Sequence, residues 1–526
     1  MDFFFAALPI LFLIVAMTKP GPLPSTVAFF LGSLFALLIG WLWFQHAPAL
    51  LAAAVLRGLL DALTPISIVF GAILFFVAME KSGAMATLQT WLRGISANPV
   101  AQIMIAGWSF IFVIEGAAGF GTPAALAAPV LVALGFPALR VAVVCLVFNG
   151  TSTAFGAAGT PVWFGFDLLT LPRETMLALS WQAGIFQFCA ALVVPVLALT
   201  LVIPWRTLWQ NLGFIYLSII ASVGPMLAVS AFNYEFPAIV GGCVGMVVTI
   251  AAARFGFGLH RESSETMRGP IFTRAVVLAL IPLLVTVAIL LLTRIPQLGL
   301  RALLNAREPH LALGLGPVGE FSISGALVLR VVDILGQGLS WTHAMLYVPS
   351  IIPFVITAGL ALLLCRGSKE IALSTLRETA GRIATPVLAL LGALVFVNLL
   401  MIGGERSATM VLGQSLASAA GGAWPFFAAF LGALGSFFSG STTISNLTFG
   451  AIQLSIAQDA GIDPPFLLAL QLSGAAMGNM ICIHNIVAVC AVLGLVNQEG
   501  AILKRAAIPC AIYGLVLALV VAVMLL

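Results

Sequence analysis

An all-α polytopic membrane protein is the fold class this sequence predicts, and three observations predict it. Only 22 Lys and Arg and 18 Asp and Glu stand among the 526 residues, 8 % of the chain, against roughly 25 % in a soluble globular protein. Hydrophobic residues make up 62 % and mean hydropathy is +1.17. Apolar runs close to the ~20 residues that a transmembrane helix needs recur from one end to the other. A soluble fold of this length could not cover its surface with so few charges, which excludes most soluble enzymes. The formal excess of +4 is too small to point to a nucleic-acid partner.

The runs follow in order. The first, 3–17, is preceded by Asp2 rather than by a basic region, so it reads as an uncleaved span and not as a secretory signal. Next come 23–44, 65–80, 98–114, 176–202, 212–232 and 236–253. A basic stretch at 254–274 (Arg254, Arg261, Arg268, Arg274) separates these from 275–293 and 344–364. A second, 366–382 (Arg366, Lys369, Arg377, Arg382), precedes 384–402 and 502–526. With shorter apolar pieces this gives about 11–14 transmembrane helices. The positive-inside bias puts both basic stretches in the cytoplasm, which leaves 294–342 external despite Arg294, Arg301 and Arg307, with 318–336 interfacial or re-entrant. The chain midpoint falls in the first basic loop. The expected division is therefore an N-terminal transmembrane repeat over 1–253, a basic cytoplasmic linker over 254–274 and a C-terminal transmembrane repeat over 275–526. The seven cysteines are scattered through apolar segments with no CxxC, as small apolar fillers would be.

The informative places are where the apolar runs break. In the first half, 113–136 reads VIEGAAGFGTPAALAAPVLVALGF and 145–166 reads CLVFNGTSTAFGAAGTPVWFGF. In the second, 430–450 reads FLGALGSFFSGSTTISNLTFG and 467–494 continues as LLALQLSGAAMGNMICIHNIVAVCAVLG with its own break. Each half thus holds a Gly/Ser/Thr break, a short apolar stretch and a second break with Asn. Interrupted helices at corresponding points of two halves point to a transporter's central site, because irregular backbone is tolerated at membrane depth only where protein or a cavity surrounds it. Close packing explains glycine and alanine, as in the Gly241-x-x-x-Gly245 pair. It does not explain why hydroxyls and amides gather at the breaks.

Half-helix N-termini present free N–H groups and partial positive charge, and hydroxyls and amides add neutral donors. Such a set suits a small carboxylate that must also be released, and no basic residue lies in the four breaks. Intramembrane ionisable groups are functional suspects. Glu115, at the first break, is a candidate to carry a proton; the alternative is a carboxylate at the water interface or one paired with a distant Arg. His484 could bind substrate or take a proton, or be a hydrogen-bonded structural histidine. Glu405 and Arg406 form either an external loop charge pair or a site element. The chain has no Walker motif, G-x-S-x-G, H-E-x-x-H or EF-hand loop, so neither a cofactor nor a metal is expected, and no enzyme activity.

The run EGAAGFGTPAALAAPVLVALGFP at 115–137 resembles the hallmark segment of the lactate permease family. FNGTSTAFGAAGTP (148–161), GSTTISNLTFGAIQ (440–453) and GNMICIHNIVAVCAVLGLVNQEGAI (478–502) fit the same family in the same order. The resemblance spans essentially the whole chain. It implies a bacterial inner-membrane carrier that imports L-lactate, D-lactate or glycolate by proton symport. It also implies kinship with the ion-transporter superfamily, whose folds pair two inverted repeats with re-entrant hairpins and broken helices. A homodimer is an expectation from that kinship alone.

The expected substrate site has Gly119, Gly121 and Thr122 at one hairpin tip and Ser441, Thr442 and Thr443 at the other. Asn149, Thr151, Asn479 and Asn485 would complete the cradle, with an amide or His484 on the substrate's 2-hydroxyl and Glu115 coupling the proton. The expected partners are a small carboxylate, protons and the lipid bilayer. A carrier for gluconate or a dicarboxylate is the alternative within the class, although a dicarboxylate would want more positive compensation. A proton-conducting subunit of a larger complex is the alternative from another class, and it would call for a chain of ionisable residues that the sequence lacks.

Overall fold

The computed structural model describes residues 1–18, 23–117, 119, 122–260, 273–294, 298–348, 351–364, 368–482, 485–486, 489–490, 493, 495 and 498–525. Helix dominates. The elements that carry the argument are, in chain order, α1 (Pro48–Asp61), α2 (Leu63–Lys81), α3 (Phe110–Ala117), α4 (Thr122–Ala133), α5 (Ala138–Ser152), α6 (Gly156–Trp163), α7 (Leu212–Ser230) and α8 (Pro237–Phe255). There follow β1 (Pro309–Gly314), β2 (Glu320–Ser324), β3 (Val328–Ile334), β4 (Leu339–Ala344), α9 (Lys369–Met401), α10 (Pro425–Ser439), α11 (Thr442–Ala460) and α12 (Pro464–Asn479). Among the described residues six helical stretches are long and apolar enough to cross a membrane, and several shorter apolar helices accompany them. The all-α, multi-pass expectation holds.

The chain divides into two compact units, Met1–Leu88 with Phe272–Ser415, and Gln89–Ile271 with Leu416–Leu526. Each unit draws on both halves of the sequence. In the first, α9 is the central element, packed against Ser25–Leu42, α1 and α2. A Cβ on Gly58 of α1 would lie 2.6 Å from Val395 Cα, so this helix pair approaches as closely as only a missing side chain allows. Where α9 emerges into its polar first turns, Glu378 bridges Lys81 at 2.8 Å and Arg382 at 2.6 Å, and Arg382 also reaches Glu80 at 3.1 Å.

The stretch 318–336, expected to be interfacial or re-entrant, lies inside an antiparallel four-stranded meander, β1-β2-β3-β4. In β4 burial alternates with period 2, Trp341 and His343 being buried while Ser340 and Thr342 are exposed, and glycine-bearing turns separate the strands. Val331, Ile334 and Trp341 close a small core with Ala53 of α1, flanked by Leu56 and Leu60.

The second unit contains two helix–break–helix hairpins. In one, a π-helical stretch Met104–Ser109 runs into α3, and α4 packs back against both. In the other, α10 ends at Gly440 in the left-handed region (φ 72°) and α11 starts at once, capped by Ser441, whose Oγ accepts from the Ile444 N–H at 3.3 Å. Capping of this kind stabilises a helix start by about 1 kcal/mol. Two unwound helices accompany the hairpins. Just inside α6 the chain passes through Ala157, Ala158 and Gly159, all left-handed (φ 45°, 53° and 70°). Each non-glycine residue held there costs about 1–2 kcal/mol. The other is α12, which ends at Asn479. Gly474 and Gly478 let α12 lie directly on the backbone of α10: a Cβ at either would collide with the carbonyl of Ala429 or Ala433.

Candidate substrate site

The two breaks of the first half and the two of the second converge within the second unit. They enclose a cavity of about 20 Å³ lined by Glu115, Gly119, Thr153, Gly156, Ala157 and Pro161 from one side of the sequence and Gly440, Ser441, Thr442, Thr443 and Asn479 from the other. None of these lining residues is basic. The N-terminus of α11, 19 residues long, opens onto the cavity, so its first N–H groups and the positive end of its dipole are available to an anion.

Glu115 is 3 % exposed. Its Oε2 has no hydrogen-bond partner, and the Asn149 amide is placed against its carboxyl. No ion pair reaches Glu115 among the described residues, so the alternative of a carboxylate paired with a distant Arg finds no support there. Asn149, Asn479 and Asn485 form one cluster. Asn149 Nδ2 donates to Asn479 Oδ1 at 3.4 Å and Asn485 Nδ2 donates to the same oxygen at 2.9 Å. Asn479 Nδ2 in turn donates to the Gly440 carbonyl at 3.4 Å, tying the cluster to the second hairpin tip. Thr442 Oγ1, Asn149 Oδ1 and Thr151 Oγ1 are buried without hydrogen-bond partners. Unsatisfied buried polar atoms each cost about 1–3 kcal/mol, and two of them, Glu115 Oε2 and Thr442 Oγ1, belong to residues that line the cavity, where a bound molecule would satisfy them.

Of the residues the sequence singled out, Gly119, Ser441, Thr442, Thr443, Asn479 and Glu115 line the cavity, while Asn149 and Asn485 stand behind it. Thr151 is fully buried in the last turn of α5 but is not part of the lining. Thr122 starts α4, and its side chain, like Gly121 and His484, lies outside the described residues. Glu405 and Arg406 sit exposed in a short turn of the first unit.

Sequence reasoning missed Gly156, Ala157 and Pro161, although GAAGTP carries the glycine pair and proline that mark an unwound helix. It also missed a buried amide ladder. Trp424 Nε1 donates to Gln453 Oε1 (2.8 Å) and Gln453 Nε2 to Gln471 Oε1 (3.1 Å). Gln471 Nε2 then donates to Ser445 Oγ (3.1 Å) and Asn446 Oδ1 (3.3 Å), and Asn446 Nδ2 to the Pro161 carbonyl (2.9 Å). The ladder fixes α11 and α12 against the unwound turn that lines the cavity. Its signal was two glutamines, Gln453 and Gln471, each flanked by apolar residues.

The sequence signature of the L-lactate permease family matches residues 2–526. The chain belongs to the L-lactate permease family. A Haemophilus influenzae protein that carries the provisional name L-lactate permease is 43 % identical over 99 % of this chain and 98 % of its own length. The L-lactate permease of Escherichia coli K12 is 27 % identical over 95 % of this chain and 91 % of its own. A glycolate permease of the same organism is 25 % identical over the same shares. The protein is therefore a multi-pass membrane permease for a small molecule and not an enzyme, and the cavity between its broken helices is the candidate site for that molecule.

Proposed function

We propose that this chain is a secondary active transporter that imports small 2-hydroxymonocarboxylates (L-lactate, D-lactate and glycolate) by proton symport across the bacterial inner membrane. The observation that carries the reading is the pairing of a buried, cation-free carboxyl, Glu115, with the open N-terminus of α11 across one small cavity. Neutral donors hold an anion without the deep well of a buried Lys or Arg, so release is possible. The N–H groups and hydroxyls of 441–443 take the substrate carboxylate, and the Asn149–Asn479–Asn485 cluster takes the 2-hydroxyl. Glu115 carries the proton. The two proposed inverted repeats, 1–253 and 275–526 about the linker 254–274, each contribute one hairpin tip and one unwound helix.

Charge accounting supports the coupling. A potential of 100 mV, negative inside, opposes an entering monoanion by about 2.3 kcal/mol, and one co-transported proton cancels that charge. A cavity of about 20 Å³ has room for about one water, less than a 2-hydroxy acid needs.

The test is uptake of labelled L-lactate, D-lactate and glycolate into proteoliposomes under an imposed inward proton gradient. Accumulation of at least one, competed by unlabelled L-lactate, is the expected result. If none accumulates and L-lactate competes with no other organic anion, the reading fails.

A further inference from the structure

A second buried carboxyl lies beside the same unwound turn. Glu235 is 6 % exposed, in the loop that joins α7 to α8, whose residues Ala231 and Phe232 are exposed. Both flanking helices are long and apolar enough to span a membrane, so this loop lies at a water-facing end of them. Asn233 holds the loop in place by accepting the N–H groups of Glu235 (2.7 Å) and Phe236 (2.9 Å) through its Oδ1.

The turn 156–159 separates the two acids. At its first residue, a Cβ on Gly156 would collide with Glu115 Oε1. At its last, a Cβ on Gly159 would lie 2.5 Å from Glu235 Cα and collide with the Tyr234 carbonyl. Glycine at both ends is what lets the Glu115 carboxyl and the Glu235 backbone press against opposite ends of this turn. A direct packing contact closes the triangle: a Cβ on Gly116 would lie 2.7 Å from Ile239 N, so α3 at Glu115 rests on the first turn of α8, just after Glu235. Of the two acids, the one in the loop is Glu235. The left-handed Ala157 and Ala158 keep the turn in this unusual shape at an energetic cost, which places their two glycine neighbours against the acids.

We propose that Glu235 is the relay through which the Glu115 proton exchanges with water at the 231–236 end of the second unit. The proposal rests on the proton-symport reading of Glu115. In each passage one O–H bond breaks at the donor and one forms at the acceptor. The proton leaves the Glu115 carboxyl, passes through water to the Glu235 carboxylate, and leaves Glu235 for bulk water, so that both acids return to their starting state with no change in oxidation level. Glu235 is not among the residues that line the cavity. Its role separates net transport, which needs Glu115 to gain and lose its proton each cycle, from lactate exchange, in which Glu115 can stay protonated.

The test compares two rates in proteoliposomes with L-lactate as the probe: net uptake driven by an inward proton gradient, and exchange of labelled for unlabelled L-lactate at equal pH on both sides. For Glu235→Gln the expected result is a fall of tenfold or more in net uptake with exchange within twofold of the parent protein. Glu235→Asp, which keeps an acid at the position, should recover at least half of the net rate. Net uptake unchanged in Glu235→Gln overturns the relay, and so does a parallel fall in both rates. If Glu235→Gln does not assemble, Glu235→Asp decides alone: net uptake slowed more than exchange supports the relay, and equal effects overturn it. The symport reading fails separately, through absence of proton-driven accumulation in the parent protein.

Discussion

Replacing Gly156 by Ala isolates the Glu115 carboxyl with a single methyl group. The backbone at Gly156 has φ −64°, which alanine adopts freely, so no strain arises there. The new Cβ would fall on Glu115 Oε1, well inside the 3.0 Å that real Cβ atoms essentially never breach. What must give is the end of a flexible side chain, so the cost to folding should stay at or below the ~1 kcal/mol of a mild overpacking. The carboxyl, however, is pushed away from Asn149 and the cavity by a sizeable fraction of an ångström, and a 1 Å misplacement of a reacting group can cost about 100-fold in rate. The expectation is a protein that is purified and melts like the parent, yet takes up L-lactate at least tenfold more slowly under a proton gradient, a loss of about 1.4 kcal/mol or more. The assay is initial-rate uptake in proteoliposomes alongside thermal unfolding in detergent. Normal uptake in Gly156→Ala would refute the placement of Glu115 at the working centre.

Three further outcomes follow from the packing. Gly474→Ala sets a methyl against the Ala429 backbone, which cannot swing away, so stability should drop by about 1–3 kcal/mol or more; a melting temperature like the parent's would contradict the α10–α12 contact. Gln471→Leu strips donors from Ser445 and Asn446 and should cost about 1–3 kcal/mol, with lactate affinity weakened because the turn at Pro161 loosens; unchanged binding and melting would show that the ladder fixes nothing. His343 lies in the sheet with Nδ1 2.8 Å from Thr64 Oγ1, and burial pulls its pKa from 6.5 down to about 4. Between those values the unfolded chain binds the proton and the folded one does not. Its stabilisation is therefore complete above pH 6.5 and is lost as pH falls toward 4, by at most about 3 kcal/mol. Hydrogen exchange of the β1–β4 strands, corrected for intrinsic rates, should lose protection between pH 7 and pH 5 in the parent and less so in His343→Gln. Equal pH dependence in both would remove His343 as the cause.

Much of this was legible in the sequence because the signals are local. Apolar runs declare helices in a membrane, and Gly, Ser, Thr and Asn at their breaks declare where backbone is freed. Glu115, Thr442 and Asn479 were found that way, and the structure brings them to one cavity. What escaped was carried by pairing at long range or by a weak period. In the β1–β4 meander burial alternates only along β4, inside a chain where apolar runs dominate every window. Gln471 and Gln453 mean little until α11 and α12 lie side by side. Gly156 and Gly159 look like packing glycines until the two acids they face are known. The two compact units, each assembled from both halves, have no local signature at all, since only contacts between distant segments define them.

The most direct test of the account is proton movement itself. Proteoliposomes loaded with a pH-sensitive dye, given L-lactate outside with no imposed pH gradient and the membrane potential clamped at zero, should acidify inside as lactate enters. Glu115→Gln, reconstituted to the same density, should show no lactate-dependent acidification. Lactate entry without acidification in the parent protein, or undiminished acidification in Glu115→Gln, would contradict a proton carried on Glu115.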